Sequence, residues 1–237
     1  KFQPIELVKP LFILFVAKII ILNNKLNIYN RYLFSFFILL FIVVLLINQP
    51  DLGQTLLLIA SWITMIFVSG FNMFILIILG VVVLSIIILL VYFLPSKFGY
   101  IFLRIQTFFN PKVGDNFQSQ SALDAIKQGG LTGQGMGEGI LKDKVPEAHT
   151  DYIIAVISEE FGALFVLFIV ILFLIAGYKV LNKVFFEKDE FLKLALVGLT
   201  SLLIIQTFIH IGVNTRLLPT TGMTLPFLSY GGSSLVG

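Results

Sequence analysis

Residues 52–96 read LGQTLLLIASWITMIFVSGFNMFILIILGVVVLSIIILLVYFLPS, and from Leu52 to Ser96 there is no Asp, Glu, Lys or Arg. An uncharged apolar stretch of that length is long enough to cross a bilayer twice. Its only turn-like punctuation is Ser69-Gly70-Phe71-Asn72, where a tight hairpin is expected. The rest of the chain agrees. It is 58% hydrophobic and 12% charged, with a mean hydropathy of +1.01. Soluble domains carry roughly twice that charge fraction. A large soluble helical core fails on run length and charge together, so the expected class is an all-α polytopic membrane protein.

Working outward, six apolar runs approach the span length of about 20 residues. They are Leu7–Leu22, Leu33–Ile47, Thr55–Ser69, Phe71–Leu94, Tyr152–Ala176 and Phe191–Val213. In lipid every backbone amide must be paired internally, so these runs should be helices. Short loops rich in Lys and Arg favour the cytoplasm. Asn23–Tyr32 holds Lys25 and Arg31, and Tyr178–Glu190 holds Lys179, Lys183 and Lys188. Alternation then puts Gln49–Gly53, Pro95–Asp151 and Asn214–Tyr230 on the outer face.

Composition excludes several classes. With no cysteine there are no disulfides or thiolate metal sites, and two histidines do not build a metal centre alone. A net charge of +3, spread along the chain, gives no nucleic-acid signature. The chain begins at Lys1 without a Met start or signal peptide and is read as a fragment.

The segment 95–151 is the one large extracytoplasmic loop expected. Within it, Gln118–Gln128 predicts a short amphipathic helix with Leu123 and Ile126 on one side and Gly129 capping its end. A glycine-dense stretch follows, from Gly129 to Gly139. It lacks the preceding strand and the Lys-Ser/Thr ending of a phosphate loop. Close backbone packing, or a lid over a lipid substrate, is the expectation.

Ionisable groups at membrane depth cost about 2.5–3.5 kcal/mol each on insertion scales, which makes them functional candidates. Glu6 and Lys9, three residues apart, share a helix face and can pair, or line a polar cavity. Asp51 precedes the third run, where it can cap a helix. Glu159 and Glu160 point about 100° apart on a helix, so at least one should have a structural partner. Asp151 ends Val145-Pro146-Glu147-Ala148-His149-Thr150-Asp151 and begins the fifth run. A helix cap would explain it alone, but Glu147 and His149 make the titratable groups denser than a cap requires.

These motifs resemble the SEDS proteins, the FtsW/RodA/SpoVE group. The matching pieces are Phe2-Gln3-Pro4-Ile5-Glu6-Leu7-Val8-Lys9, Gln49-Pro50-Asp51-Leu52-Gly53, the glycine stretch, and Pro146-Glu147-Ala148-His149-Thr150-Asp151. They continue through Glu159-Glu160-Phe161-Gly162 and Leu218-Pro219-Thr220-Thr221-Gly222-Met223-Thr224-Leu225-Pro226 to Ser229-Tyr230-Gly231-Gly232-Ser233-Ser234. Thr224, where elongation members more often carry Pro, resembles the division branch. Ile5 stands where a small residue is usual, Phe117 where Tyr is common, and Arg216 where an uncharged residue is typical.

The resemblance implies the fourth through ninth of ten helices in one domain, in a bacterial inner membrane. It implies polymerisation of lipid II into glycan strands beside a class B penicillin-binding protein and other divisome proteins. On it, Asp151 is the catalytic base and Glu6 and Lys9 line the substrate cavity; Asp51, Glu147 and His149 are read beside them as further substrate-binding candidates. The leaving lipid diphosphate needs no strong acid, only a base for the acceptor hydroxyl and a cation nearby. Lys9 or a divalent ion (Mg or Mn) suits the second role. A lipid II flippase and a non-catalytic divisome scaffold remain as alternatives. The flippase should place charges on both faces, whereas here they concentrate outside.

Overall fold

The computed structural model describes residues 3–21, 27–72, 95–110, 117–140 and 148–230, with scattered positions between 74 and 93. The described elements are all helical. They are α1 (Pro4–Ile21), α2 (Ile28–Asn48), α3 (Leu52–Val68), α4 (Pro95–Phe109), α5 (Phe117–Gly129), α6 (Ile153–Phe161), α7 (Ala163–Phe186) and α8 (Glu190–Asn214). Among the described residues, three stretches are long and apolar enough to cross a membrane: Tyr29–Asn48, Ala163–Phe186 and Glu190–Asn214. The count of six is therefore not reproduced. The first run carries Lys9 and Lys18, with Glu6 just before it in α1, and α3 has only 17 residues. Most of the fourth, Phe71–Leu94, lies outside the described residues.

α8 is the organising helix, packed against α3, α1 and α7. Gly198 is why three helices meet so closely. A Cβ there would run into Ile13 Cγ2 and come within 2.8 Å of Met65 Sδ. Where lipid offers no hydrophobic drive between helices, small residues at crossings let van der Waals packing hold them. Phe12, Ile13 and Val16 of α1, Leu57, Leu58, Trp62 and Met65 of α3, and Leu194 and Leu202 of α8 fill this core. The Trp62 indole donates to Ser35 Oγ at 3.2 Å, so its one polar atom is satisfied. Outward faces of α2 (Phe34, Phe37, Phe41) and α7 (Leu164, Leu167, Leu172) stay exposed, as lipid-facing surfaces do.

The fifth run is not one helix. Gly162 takes φ +84° and separates α6 from α7. The glycine stretch supplies what the break removes: Ala163 N donates to Gly130 O (2.9 Å), Gln134 N to Glu159 O (2.9 Å) and Gly135 N to Glu160 O (3.0 Å). Of the two expectations for that stretch, close backbone packing is observed. Both glutamates serve it. Glu159 is fully buried against Gly139, and Glu160 Oε1 accepts from Gly137 N at 3.3 Å.

The amphipathic helix exists as α5, with a different packing face. Ser119, Ala122, Ala125 and Gly129 are buried, while Leu123 and Ile126 are half-buried. A Cβ on Gly129 would collide with the Ser158 carbonyl, so small residues set the approach to α6. The left-handed residue ending the helix is Gly130 (φ +58°), one position beyond Gly129. α4 was not anticipated within the loop.

Candidate active site

The N-terminal ends of α1 and α3, the C-terminal end of α8 and the turn before α6 gather at one end of the bundle. Two acids flank one segment there. On one side, Asp51 caps α3, accepting from Gln54 N at 3.1 Å. Its turn packs directly on residues 221–223, because a Cβ on Gly53 would lie 2.6 Å from Met223 Sδ and 2.8 Å from Thr221 Cβ. On the other side, Asp151 Oδ2 lies 3.6 Å from where a Cβ on Gly222 would stand. A larger residue at 222 would crowd that carboxylate.

The backbone of the Asp151 turn is held from two directions. From α8, Asn214 Nδ2 donates to Asp151 O (3.0 Å), and Asn214 Oδ1 accepts from Ala155 N (3.3 Å). From the C-terminal segment, Ser229 Oγ donates to Thr150 O (2.7 Å) and accepts from Leu225 N (2.8 Å). Tyr230 N donates to His149 O at 2.9 Å, leaving the His149 side chain exposed. The N-cap of α6 is Tyr152, so Asp151 stands one residue outside the helix rather than at its start. Glu147 lies outside the described residues.

Glu6 and Lys9 form the expected pair, Oε2 to Nζ 2.6 Å, with both side chains buried. They are also knitted to three other elements. Gln54 Nε2 donates to Glu6 Oε1 (3.0 Å), Lys9 Nζ to Gln206 Oε1 (3.2 Å), and Gln206 Nε2 to Thr224 O (2.9 Å). This network forms the floor beneath Asp51. Burial pushes the Asp51 carboxyl above the ordinary carboxylate range, opposed by the Gln54 N–H and by the charges of Arg104 and Lys9.

Arg104, on the unanticipated α4, is the residue that sequence reasoning missed. Its guanidinium donates to Thr220 O at 3.3 Å. Its charge reaches Asp51, and the Tyr152 hydroxyl lies in the field of both Arg104 and Asp151. α4 is anchored by Tyr100, whose hydroxyl donates to Ile47 O at 3.2 Å. A narrow cleft of about 20 Å³, room for one water, lies between Arg104 and Arg216. Arg216 is steered there by Gln120 Oε1 at 2.7 Å. The sequence signal for it is Ile101 with Arg104 and Ile105, three and four residues on, at helical spacing within the segment 95–151. Among the described residues, no group of three or more His, Asp or Glu could hold a metal ion. Arg104 and, from beneath, Lys9 bring positive charge to Asp51.

The family model for cell cycle proteins of the FtsW, RodA and SpoVE type matches residues 1–237. The chain belongs to this family. It is 37% identical over 234 residues to the probable peptidoglycan glycosyltransferase FtsW of Caulobacter vibrioides, covering 99% of this chain and 59% of that protein. Stage V sporulation protein E of Bacillus subtilis is 37% identical over 239 residues, covering 98% and 64%. A peptidoglycan synthase complex described as coordinating polymerization and crosslinking contains a chain superposing with TM-score 0.76 at 26% identity, over 99% of this chain and 66% of that one. A mutant of the rod shape determining protein RodA of Thermus thermophilus gives TM-score 0.65 at 25% identity, over 99% and 61%. The chain thus spans about six tenths of the length of the curated FtsW/RodA/SpoVE relatives it matches. The all-helical membrane fold anticipated from the runs is that of the family.

Proposed function

We propose that this chain is the core of a peptidoglycan glycosyltransferase that polymerises lipid II into glycan strands during septal wall synthesis. The observation that carries the reading is the placement of Asp51 and Asp151 on either side of Thr220–Met223, with Arg104 bound to that segment. The relatives named as peptidoglycan glycosyltransferases support it.

Asp151 takes the proton of the acceptor sugar hydroxyl, whose oxygen attacks the donor's anomeric carbon. The bond from that carbon to the diphosphate oxygen breaks, and the lipid diphosphate leaves with the electron pair. One base and one displaced phosphate give inversion at that carbon. A fixed cation stabilises the charge developing on the diphosphate, and Arg104 suits this because its planar fork binds phosphate oxygens in pairs. At about 20 Å³ the cleft is too small to enclose a phosphate, so the diphosphate binds at its mouth. Asp51 and the exposed His149 complete the substrate-facing rim, and Glu147, outside the described residues, is assigned to substrate binding with them. Glu6 and Lys9 act on substrate through their field from the floor. The rim lies on the outer side of a bacterial inner membrane, and a class B penicillin-binding protein of the divisome crosslinks the product.

The test is glycan-strand synthesis from purified lipid II by the full-length protein with its partner, comparing Asp151→Asn with wild type. Loss of polymer with unchanged expression and partner binding supports the assignment. Retained polymerisation removes Asp151 as the base.

A further inference from the structure

At the end of the bundle opposite Asp151 lies a cavity of about 370 Å³. The last turn of α1 (Ile20, Ile21), the first of α2 (Arg31, Tyr32), the last of α3 (Val68, Ser69) and the first of α8 (Glu190, Lys193, Leu194) enclose it. These are the helix ends remote from Glu6, Asp51 and Asn214, so nothing in the reaction described above uses them.

The walls combine cations, hydroxyls and apolar surface. Arg31 is held at the wall by its hydrogen bond to Ile20 O at 3.3 Å. Lys193 lines the cavity and forms no ion pair among the described residues. Ser69 Oγ donates to the Tyr32 hydroxyl at 3.1 Å, adding two hydroxyls to the lining. Among the described lining residues, Glu190 is the one carboxylate beside Arg31 and Lys193, a net charge of +1. Just below, Lys18 sits over the Phe191 ring at 5.5 Å. Exposed aromatic side chains, Tyr29, Phe185 and Phe186, stand at the same end, where rings mark the headgroup level of a membrane.

We propose that this cavity binds the phosphodiester headgroup of an anionic membrane lipid. A net single positive charge matches one phosphodiester. Basic pockets between helices at a membrane surface attract such headgroups. A lipid, unlike free phosphate, also covers apolar surface, and Val68 at the rim and the exposed faces of α2 offer it to the acyl chains. The proposal is independent of the glycosyltransferase reading.

The test places the full-length protein in nanodiscs of phosphatidylcholine with a minor fraction of phosphatidylglycerol and counts retained lipid by native mass spectrometry. One phosphatidylglycerol per chain should persist in wild type. Arg31→Gln with Lys193→Gln should lower its retention by about tenfold or more, near 1 kcal/mol per charge. Arg31→Lys with Lys193→Arg should keep it. If the double glutamine variant does not insert, Lys193→Gln alone, in the first turn of α8, provides the comparison. Equal retention of phosphatidylcholine, unchanged retention in the glutamine variants, displacement by millimolar inorganic phosphate, or no retention because a flanking segment fills the cavity would each overturn it.

Discussion

The Asn214 side chain grips the Asp151 turn at two points, donating to the Asp151 carbonyl at 3.0 Å and accepting from Ala155 N at 3.3 Å. A third contact, from Asn214 Nδ2 to His210 O at 2.9 Å, ties the same amide back to its own helix. The last turn of α8 thereby sets where the Asp151 carboxylate stands.

Asn214 is therefore a positioning residue. Asn214→Leu should lower polymerisation roughly 100-fold, the effect of displacing a reacting group by about 1 Å. The fall should appear in kcat with KM for lipid II little changed, whereas a global folding defect would reduce active enzyme and leave the residual kcat per folded molecule intact. Single-turnover kinetics normalised to folded protein separates the two.

The Glu6–Lys9 pair predicts a cycle in stability. Removing one partner of a buried pair costs about 3–5 kcal/mol, because the other charge is left uncompensated. Glu6→Gln or Lys9→Met should each lower Tm markedly in detergent. The double variant should lose less than the two single losses combined. Simple additivity would show that the pair does not couple.

Asp51 predicts a pH dependence of stability. Its carboxyl binds a proton more tightly folded than unfolded. Its contribution therefore favours the fold below the ordinary carboxylate pKa and is lost as pH rises through the raised folded value. Asp51→Asn keeps an N-cap acceptor for Gln54 N and removes the titration. Thermal unfolding across acid to neutral pH should show a flatter profile for the variant, and an unchanged slope would contradict this.

Gly162 predicts a backbone effect. At φ +84°, with a Cβ that would collide with the Leu131 carbonyl and crowd Gly133 N at 2.5 Å, no side chain fits. Gly162→Ala should cost more than the roughly 1–2 kcal/mol of left-handed strain alone. It should reduce the yield of folded protein, while Ala163→Gly beside it is mild.

Arg104→Ala should raise KM for the lipid-linked substrate about 10- to 100-fold, the worth of a charge-assisted hydrogen bond of about 1.5–3 kcal/mol. Arg104→Lys should recover only part of it, since a point charge does not replace a fork. Equal KM for all three would take Arg104 out of substrate binding.

Sequence alone determined the membrane class, the pairing of Glu6 with Lys9 and the cap at Asp51, because run length, helical spacing and helix-start chemistry are local properties. The four- and three-residue periodicities put those partners within reach before any tertiary contact forms. Even the family membership rests on motifs that read along the chain.

Only the tertiary structure decided the rest. Two acids a hundred residues apart meet across Thr220–Met223 because Gly53 and Gly222 allow that segment to lie against both turns. The break at Gly162 was not legible from the fifth run alone, since the backbone partners that stabilise it come from Gly130, Leu131, Gln134 and Gly135, some thirty residues earlier in the chain. Arg104 lay hidden in a segment with no apolar run long enough to span. Its significance depends on Thr220 and Asp51, which no local pattern relates to it. Periodicity reports which face of a helix is buried, whereas a site assembled from five chain segments depends on how closely their backbones can approach.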